Sequence, residues 1–151
     1  MIKQKIETDL KEAMLAGDRE LTSVLRTIKS VILDAEISAG ARDNGLDDEI
    51  LIGLLQKESK KRIDTAKTYS DANENIRAEK ELAESRIISK YLPEMMSEDD
   101  IVKIVEETIS GLGGSVSMQQ MGQVIGAVKA KTGALADGSV VAKLVKERIT
   151  N

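Results

Sequence analysis

The segment LTSVLRTIKSVILDA, residues 21–35, decides the fold of this 151-residue chain. Its apolar side chains recur every three or four positions, which is the spacing of one helical face. Strands favour aromatic residues, and the chain has only two tyrosines, no phenylalanine and no tryptophan. The stripe is therefore expected to pack against other helices, and the sequence predicts an all-α protein. Its members are Leu21, Val24, Leu25, Ile28, Val31, Ile32 and Ala35.

Four amphipathic helices are predicted before residue 93. The first covers about residues 2–16 and is ended by Gly17, and the second covers about residues 20–39. The third begins after the N-cap Asp47, and the fourth covers about residues 75–91. We expect the third helix to bury Leu51, Leu54, Leu55, Ala66 and Tyr69, and the fourth to bury Ile76, Ala83, Ile87 and Tyr91.

Pro93, the only proline, marks a domain boundary, because proline disfavours helical backbone in the residue before it and lacks an amide donor. Three short helices follow, each opened by residues that cap helices. We therefore predict a four-helix N-terminal bundle over residues 1–92 and a small three-helix C-terminal domain over residues 93–151. The three openings are Ser97-Glu98-Asp99-Asp100, Ser117-Met118-Gln119-Gln120 and Asp137-Gly138-Ser139.

The composition excludes several kinds of chemistry. Without cysteine and histidine there is no disulfide, thiol nucleophile, Ser-His-Asp triad or His/Cys zinc site. The acidic clusters at 47–49 and 98–100 fall in first helical turns, where carboxylates interact favourably with the helix dipole. We therefore expect no catalytic residue, no metal site and no cofactor. No apolar run reaches the roughly 20 residues of a membrane span, and no secretory signal is recognised, so a cytoplasmic protein is expected.

Two patterns inside predicted helices have more than one interpretation. Glu58 and Arg62 stand four residues apart in the third helix, a spacing typical of an ion pair, with a ligand site on Arg62 as the alternative. Gly122 and Gly126 form a G-x-x-x-G pattern, and each costs a helix about 1 kcal/mol relative to alanine. We expect a neighbouring helix to pack closely against these glycines.

Two groups of lysines are candidates for binding phosphate. One group lies in the last two helices, around a glycine-containing loop that leads into a helix N-terminus, where backbone amides favour anions. Each lysine taken alone is more simply a solvated side chain, and the net charge of −4 means that only one face is expected to meet nucleic acid. The candidate nucleic-acid site comprises Lys129, Lys131, Gly133, Gly138, Lys143 and Lys146, and a secondary basic face on the third helix comprises Lys57, Lys60 and Lys61.

Several motifs resemble the GatB/YqeY family, and in particular its small free-standing YqeY-like members. They are LTSVLRTIK at 21–29, KESKKRID at 57–64, Tyr91-Leu92-Pro93, MGQVIG at 121–126 and KAKTGALADGS at 129–139. The resemblance implies an all-helical protein similar to the tail of the GatB subunit of tRNA-dependent amidotransferase, which helps to hold the tRNA. The domains that carry the kinase and transamidation chemistry of that ligase have no counterpart here, so the resemblance does not imply that activity for this chain.

Two functions are left open by the sequence. A non-catalytic module that binds tRNA, or assists a tRNA-linked enzyme, would use the C-terminal lysines. A protein-interaction adaptor without nucleic-acid binding would instead use apolar residues off the main stripes, for which Leu33, Ile50 and Ile52 are the candidates. An enzyme relying on carboxylates is not expected, because no motif places a nucleophile, a base and an oxyanion donor together.

Overall fold

Helices account for the regular secondary structure of residues 1–150, the residues that the computed structural model describes, and no strand occurs among them. Within that range seven α-helices and two short 3-10 turns follow one another along the chain. The predicted all-α class is therefore confirmed. The chain divides into two compact units, Met1–Leu92 and Pro93–Asn151. No helix within residues 1–150 combines the length and the hydropathy that a membrane span requires.

The N-terminal unit consists of two helical hairpins. Its helices are α1 (Ile2–Ala16), α2 (Arg19–Ser38), α3 (Asp48–Asp71) and α4 (Asn75–Ser89), and the main contacts join α1 to α2 and α3 to α4. Gly17 ends α1 in the left-handed conformation, with φ of 72°, as its position after the first apolar stripe indicates.

The apolar stripe of α2 lies at the centre of this unit. Leu25 packs with Leu51 and Ile88, and all three side chains are fully buried. The expected inward face of α4 is partly wrong, because Ile76 is 89% exposed. The helix buries Ser85 and Ile88 instead.

Small side chains at the α3–α4 interface explain this difference. Ala66 and Ala78 are buried, and Ser59 and Ser85 share a buried hydrogen bond of 2.8 Å. Two hydroxyls that satisfy each other avoid the penalty of about 1–3 kcal/mol for a buried polar group left alone. The two helices are thus joined through small and polar residues. A prediction based on large apolar side chains such as Ile76 does not identify this interface.

Arg62 joins the same two helices by charge. Its guanidinium forms ion pairs with Glu81 and Glu84 of α4, and its side chain is only 14% exposed. The predicted pairing of Glu58 with Arg62 is therefore wrong. A guanidinium largely removed from water needs carboxylates that face the same interface, and α4 supplies two of them.

Several polar contacts tie α1 to the rest of the N-terminal unit, and two of them involve acidic residues of α2 and α3. Glu36, near the end of α2, is 1% exposed and accepts hydrogen bonds of 2.7 and 3.0 Å from the Nζ of Lys3. Asp48, in the first turn of α3, accepts a 3.1 Å hydrogen bond from the backbone amide of Ile2. Part of the acidic cluster at 47–49 therefore satisfies the N-terminus of a different helix.

The C-terminal unit contains three helices that pack on one another. They are α5 (Glu98–Gly111), α6 (Met121–Thr132) and α7 (Gly138–Thr150). A 3-10 turn, Met118–Gln120, precedes α6, and a second, Gly133–Leu135, follows it. The most deeply buried core residues of this unit are Ile101, Val105, Val124, Val128, Val141 and Val145.

The helix starts of this unit use the capping residues that the sequence indicates. The Oγ of Ser97 accepts a 3.2 Å hydrogen bond from the amide of Asp100 at the start of α5. Ser117 and Gln120 form a capping box before α6. Local hydrogen bonds of this kind depend on neighbouring residues only, so the sequence is sufficient to predict them.

Candidate functional site

One face of α6 has two positions without a side chain, and both are open to solvent. Gly122 and Gly126 are exposed, and among the described residues no atom beyond the adjacent turns lies within 4 Å of a Cβ built at either position. The expected close packing of a neighbouring helix on these glycines is therefore wrong. The helix is buried instead through the side that carries Val124 and Val128. Lys129 follows Gly122 by seven residues, about two turns, and so shares its open face.

Lys129 reaches from this face to the first residue of α7. Its Nζ and Cε lie 3.3 and 3.4 Å from the position that a Cβ would take on Gly138. Glycine at position 138 therefore leaves room for the lysine side chain. Among the described residues no carboxylate forms an ion pair with Lys129, so its charge remains available to a ligand.

The N-terminus of α7 is itself capped. The carboxylate of Asp137 accepts hydrogen bonds from the amide and the hydroxyl of Ser139, at 2.7 and 2.5 Å. Gly133, in the turn before this cap, has a φ of 55°. Because Asp137 already uses the amide of Ser139, an anion at this end of the helix would meet the ammonium of Lys129 rather than that amide.

The other C-terminal lysines point in different directions. Lys131 donates a 3.2 Å hydrogen bond to the hydroxyl of Thr108 on α5. It is two residues from Lys129, about 200° around the helix axis, so the two side chains diverge. Lys143 and Lys146 are exposed and lie three residues apart on the side of α7 that faces away from its buried residues. The structure thus places Lys129 beside the open glycines and Lys131 away from them.

The secondary basic face lies on the N-terminal unit. Lys57, Lys60 and Lys61 are exposed on the outward side of α3, where they line a shallow depression together with Asp64. None of the three lysines forms an ion pair with a described carboxylate. This face is a separate cluster from the lysines of α6 and α7.

No pattern in the sequence predicts the charged cluster around Tyr91. The Oη of Tyr91 donates a 2.6 Å hydrogen bond to Asp9, and the Nζ of Lys5 lies 3.3 Å from the same carboxylate. The hydrogen bond from Tyr91, helped by Lys5, holds the pKa of Asp9 below its ordinary value. Burial, together with the hydrogen bond to Asp9, raises the pKa of Tyr91. The two partners are 82 residues apart in sequence, so no local pattern indicates their contact.

The arrangement around Lys129 is suited to binding an anion. An exposed ammonium supplies three hydrogen-bond donors, and the adjacent glycines allow the backbone of a ligand to come close. Elsewhere in residues 1–150 no group of three or more acidic side chains is placed to hold a metal ion.

These features define a small all-helical protein with a lysine-bearing three-helix unit. The chain belongs to the family of YqeY-like proteins, whose model matches residues 3–149. It is 26% identical over 147 residues to "Altered inheritance of mitochondria protein 41, mitochondrial" of Pyrenophora tritici-repentis, a match that covers 95% of the chain and 78% of that protein. Proteins of the same name from Clavispora lusitaniae and Vanderwaltozyma polyspora are 32% and 31% identical, over 65% and 77% of the chain.

The names of these relatives correct one expectation. All three proteins are called mitochondrial, so the expectation of a cytoplasmic protein is wrong. That expectation was based on the lack of a long apolar run and of a recognised secretory signal, and neither observation identifies the compartment in which a protein works. The match covers 56% of the Clavispora protein and 64% of the Vanderwaltozyma protein, less than two thirds of either.

Proposed function

We propose that the protein is a non-catalytic module that binds a folded RNA, with tRNA as the first candidate, through α6 and α7. The observation that supports this most directly is the open face of Gly122 and Gly126, continued by Lys129 where it lies over Gly138. A phosphodiester backbone requires positive charge and close approach. The lysine provides the charge, and the glycines provide the space.

The choice of tRNA comes from the sequence motifs. The segments at 121–126 and 129–139 resemble the tail of the amidotransferase subunit that holds tRNA, and they form the open face of α6 and the loop before α7. A module of this kind would act on tRNA directly or assist an enzyme that does.

The distribution of charge within the C-terminal unit supports binding through one side. Residues 121–151 contain five basic and two acidic side chains, whereas residues 93–120 contain one basic and six acidic side chains. An RNA is therefore attracted to α6 and α7 and repelled from the acidic first turn of α5. This division reconciles RNA binding with a net charge of −4 for the whole chain.

The four lysines are not expected to contribute equally. Lys129 and Lys143 are exposed, and no described carboxylate pairs with either one. Lys131 already donates to Thr108, and binding RNA would require it to turn away from α5. We therefore expect Lys129 and Lys143 to contribute more to binding than Lys131.

A salt titration of binding to folded tRNA, with a duplex RNA of equal length as competitor, tests the proposal. The logarithm of the binding constant should fall linearly with the logarithm of salt concentration, and each lost phosphate contact should reduce the slope by about 0.7–0.9. Lys129→Glu and Lys143→Glu should each lose more affinity than Lys131→Glu. Lys103→Glu is the matched control, because Lys103 is an exposed lysine of α5 already paired with Asp100 at 3.6 Å.

Two results would contradict RNA binding at this surface. One is binding that does not respond to salt. The other is an equal loss of affinity in Lys129→Glu, Lys143→Glu and Lys103→Glu, because a general effect of charge would then account for the data. Displacement of the tRNA by the duplex competitor at equal concentration would contradict the preference for tRNA.

A protein-interaction adaptor is the second candidate function. Leu33 and Ile50 are 41% and 50% exposed, and Ile52 is half-buried, so apolar surface is present on the N-terminal unit. A partner helix would bury such residues. A partner that stays bound after nuclease treatment and at high salt, and is lost when Leu33 and Ile50 are each replaced by glutamate, would favour this function over RNA binding.

A further inference from the structure

The first two turns of α2 carry another cationic surface, on the N-terminal unit. Arg19 and Arg26 are seven residues apart, so they lie on the same side of the helix, about 10 Å apart along its axis. They line one shallow depression together with Thr22 and Ser23. Neither arginine forms an ion pair with a described carboxylate.

The hydroxyls between the two arginines are available as donors. Thr8, Thr27 and Thr65 each bond back to the carbonyl one turn earlier in their own helices. Among the described residues Thr22 and Ser23 make no such hydrogen bond. A hydroxyl inside a helix often donates its hydrogen bond to the carbonyl one turn earlier. Because these two hydroxyls do not, they can donate to a ligand instead.

One acidic residue lines the depression, and its carboxylate caps α2. Asp18, the one acidic residue among those lining it, caps α2 by accepting a 3.0 Å hydrogen bond from the amide of Leu21. The Nη2 of Arg26 lies 3.9 Å from the sulfur of Met14, and a thioether is a weak acceptor that does not neutralise a guanidinium. Asp18 keeps its negative charge, but neither arginine forms an ion pair with it, so both guanidinium groups can pair with a ligand.

We propose that this depression binds phosphate groups, with Arg19 and Arg26 as charged donors and Thr22 and Ser23 as neutral donors. A guanidinium presents a planar fork of N–H groups that matches the oxygens of a phosphate. Two such groups on one helical face suit a ligand with more than one phosphate, either a free diphosphate compound or successive phosphodiesters of a nucleic acid. The site lies on a different unit from the lysines of α6 and α7, and it does not depend on RNA binding there.

The test uses the full-length protein and sodium pyrophosphate, followed through backbone amide chemical shifts. Saturable shifts are expected around residues 17–27. Arg19→Gln and Arg26→Gln should each weaken pyrophosphate binding about tenfold, the loss expected for one charge-assisted hydrogen bond. Arg86→Gln is the matched control, because Arg86 is an exposed arginine of α4 already paired with Glu79 at 3.0 Å, and it should leave the affinity unchanged.

The absence of saturable shifts around residues 17–27, or an equal loss in all three variants, would overturn the proposal. Unchanged helical circular dichroism confirms that each variant is folded. A second arm repeats the titration in the presence of tRNA. Displacement of pyrophosphate from α2 identifies nucleic acid as the source of the phosphate, and undisturbed binding identifies a free phosphate compound. Lys129→Glu should leave the pyrophosphate shifts intact, so failure of this site and failure of RNA binding are distinguishable.

Discussion

Replacing Tyr91 by phenylalanine removes one hydroxyl and leaves the aromatic ring in place. The hydroxyl donates a 2.6 Å hydrogen bond to Asp9 and so ties α1 to the residues that follow α4. Tyr91 is 9% exposed and belongs to the core, and the Nζ of Lys5 lies 5.9 Å from the centre of its ring. Phenylalanine keeps both of these contacts. The variant therefore isolates one hydrogen bond between a neutral donor and a charged acceptor.

The size of the effect follows from the surroundings of Asp9. A hydrogen bond to a charged group contributes about 1.5–3 kcal/mol to the free energy of unfolding. The lower end of this range applies, because the side chain of Asp9 is 26% exposed and keeps Lys5 at 3.3 Å. Water and Lys5 thus satisfy the carboxylate when the hydroxyl is removed. We expect Tyr91→Phe to lower the free energy of unfolding of the N-terminal unit by about 1.5 kcal/mol at neutral pH.

This loss should depend on pH at both ends of the scale. The pKa of Asp9 is lowered in the folded protein, so its stabilising effect is present above the ordinary value of 3.8 and is lost as pH falls through the folded pKa. The pKa of Tyr91 is raised, so its effect is fully present below the ordinary value of 10.0 and is lost as pH rises beyond it. The difference between the wild type and Tyr91→Phe should therefore be largest between about pH 5 and pH 9, and should shrink outside that window.

Urea unfolding followed by tyrosine fluorescence measures this difference. Both tyrosines of the chain lie in the N-terminal unit, so the signal reports on that unit. Tyr69→Phe is the matched control, because it also removes one phenolic hydroxyl and leaves Tyr91 as the only phenol. The ionisation of Tyr91 can then be followed by its tyrosinate absorbance as pH rises.

Three results would refute the reasoning. The first is an unfolding midpoint for Tyr91→Phe at neutral pH that equals the midpoint for Tyr69→Phe. The second is a loss of stability that has the same size near pH 7 and near pH 11. The third is tyrosinate absorbance from Tyr91 in folded Tyr69→Phe that develops at the ordinary pKa, about 10.

Four other substitutions have expected outcomes. In the same urea assay, Ile76→Ser should change the free energy of unfolding by less than about 0.5 kcal/mol, whereas Ile88→Ala should lower it by about 2–4 kcal/mol. A large loss at position 76 would contradict the observed buried face of α4. Gly138→Ala puts a methyl group 3.3 Å from the Nζ of Lys129, so it should displace the lysine and weaken tRNA binding severalfold without changing helical circular dichroism; unaltered binding would count against a role for that lysine. Glu36→Gln removes the buried charge that faces a lysine of α1 and should cost about 1–2 kcal/mol by thermal unfolding; unchanged stability would show that the ion pair contributes nothing.

Helix positions and helix ends were predictable because they depend on near neighbours. The stripe of α2, the left-handed Gly17 and the capping box of Ser117 with Gln120 each involve residues within a few positions of one another. Periodicity was a poorer guide for α4. That helix meets α3 through small residues and a serine pair, so its one large apolar residue near the N-terminus, Ile76, remained in solvent.

In the candidate site, the sequence predicts which residues take part, and only the fold determines how they are grouped. Its lysines and glycines could be named from the sequence, because residue type alone identifies an ammonium or a position without a side chain. Their grouping could not be predicted. A helix places residues seven apart on one face and residues two apart on opposite sides, so Lys129 adjoins the open glycines while Lys131 reaches Thr108. Whether anything covers Gly122 and Gly126 depends on which side of α6 the other helices occupy.

The sequence by itself determined that this protein is helical, where its helices begin and end, and which chemistries its composition excludes. Each of these properties depends on residue type and on spacing over a few positions. Only the tertiary structure decided that Arg62 pairs with α4, that Tyr91 holds Asp9, and that Lys129 lies over Gly138. The physical reason is that a charge or a hydroxyl takes the partner that the fold places within about 3 Å, and distance along the chain does not limit that choice.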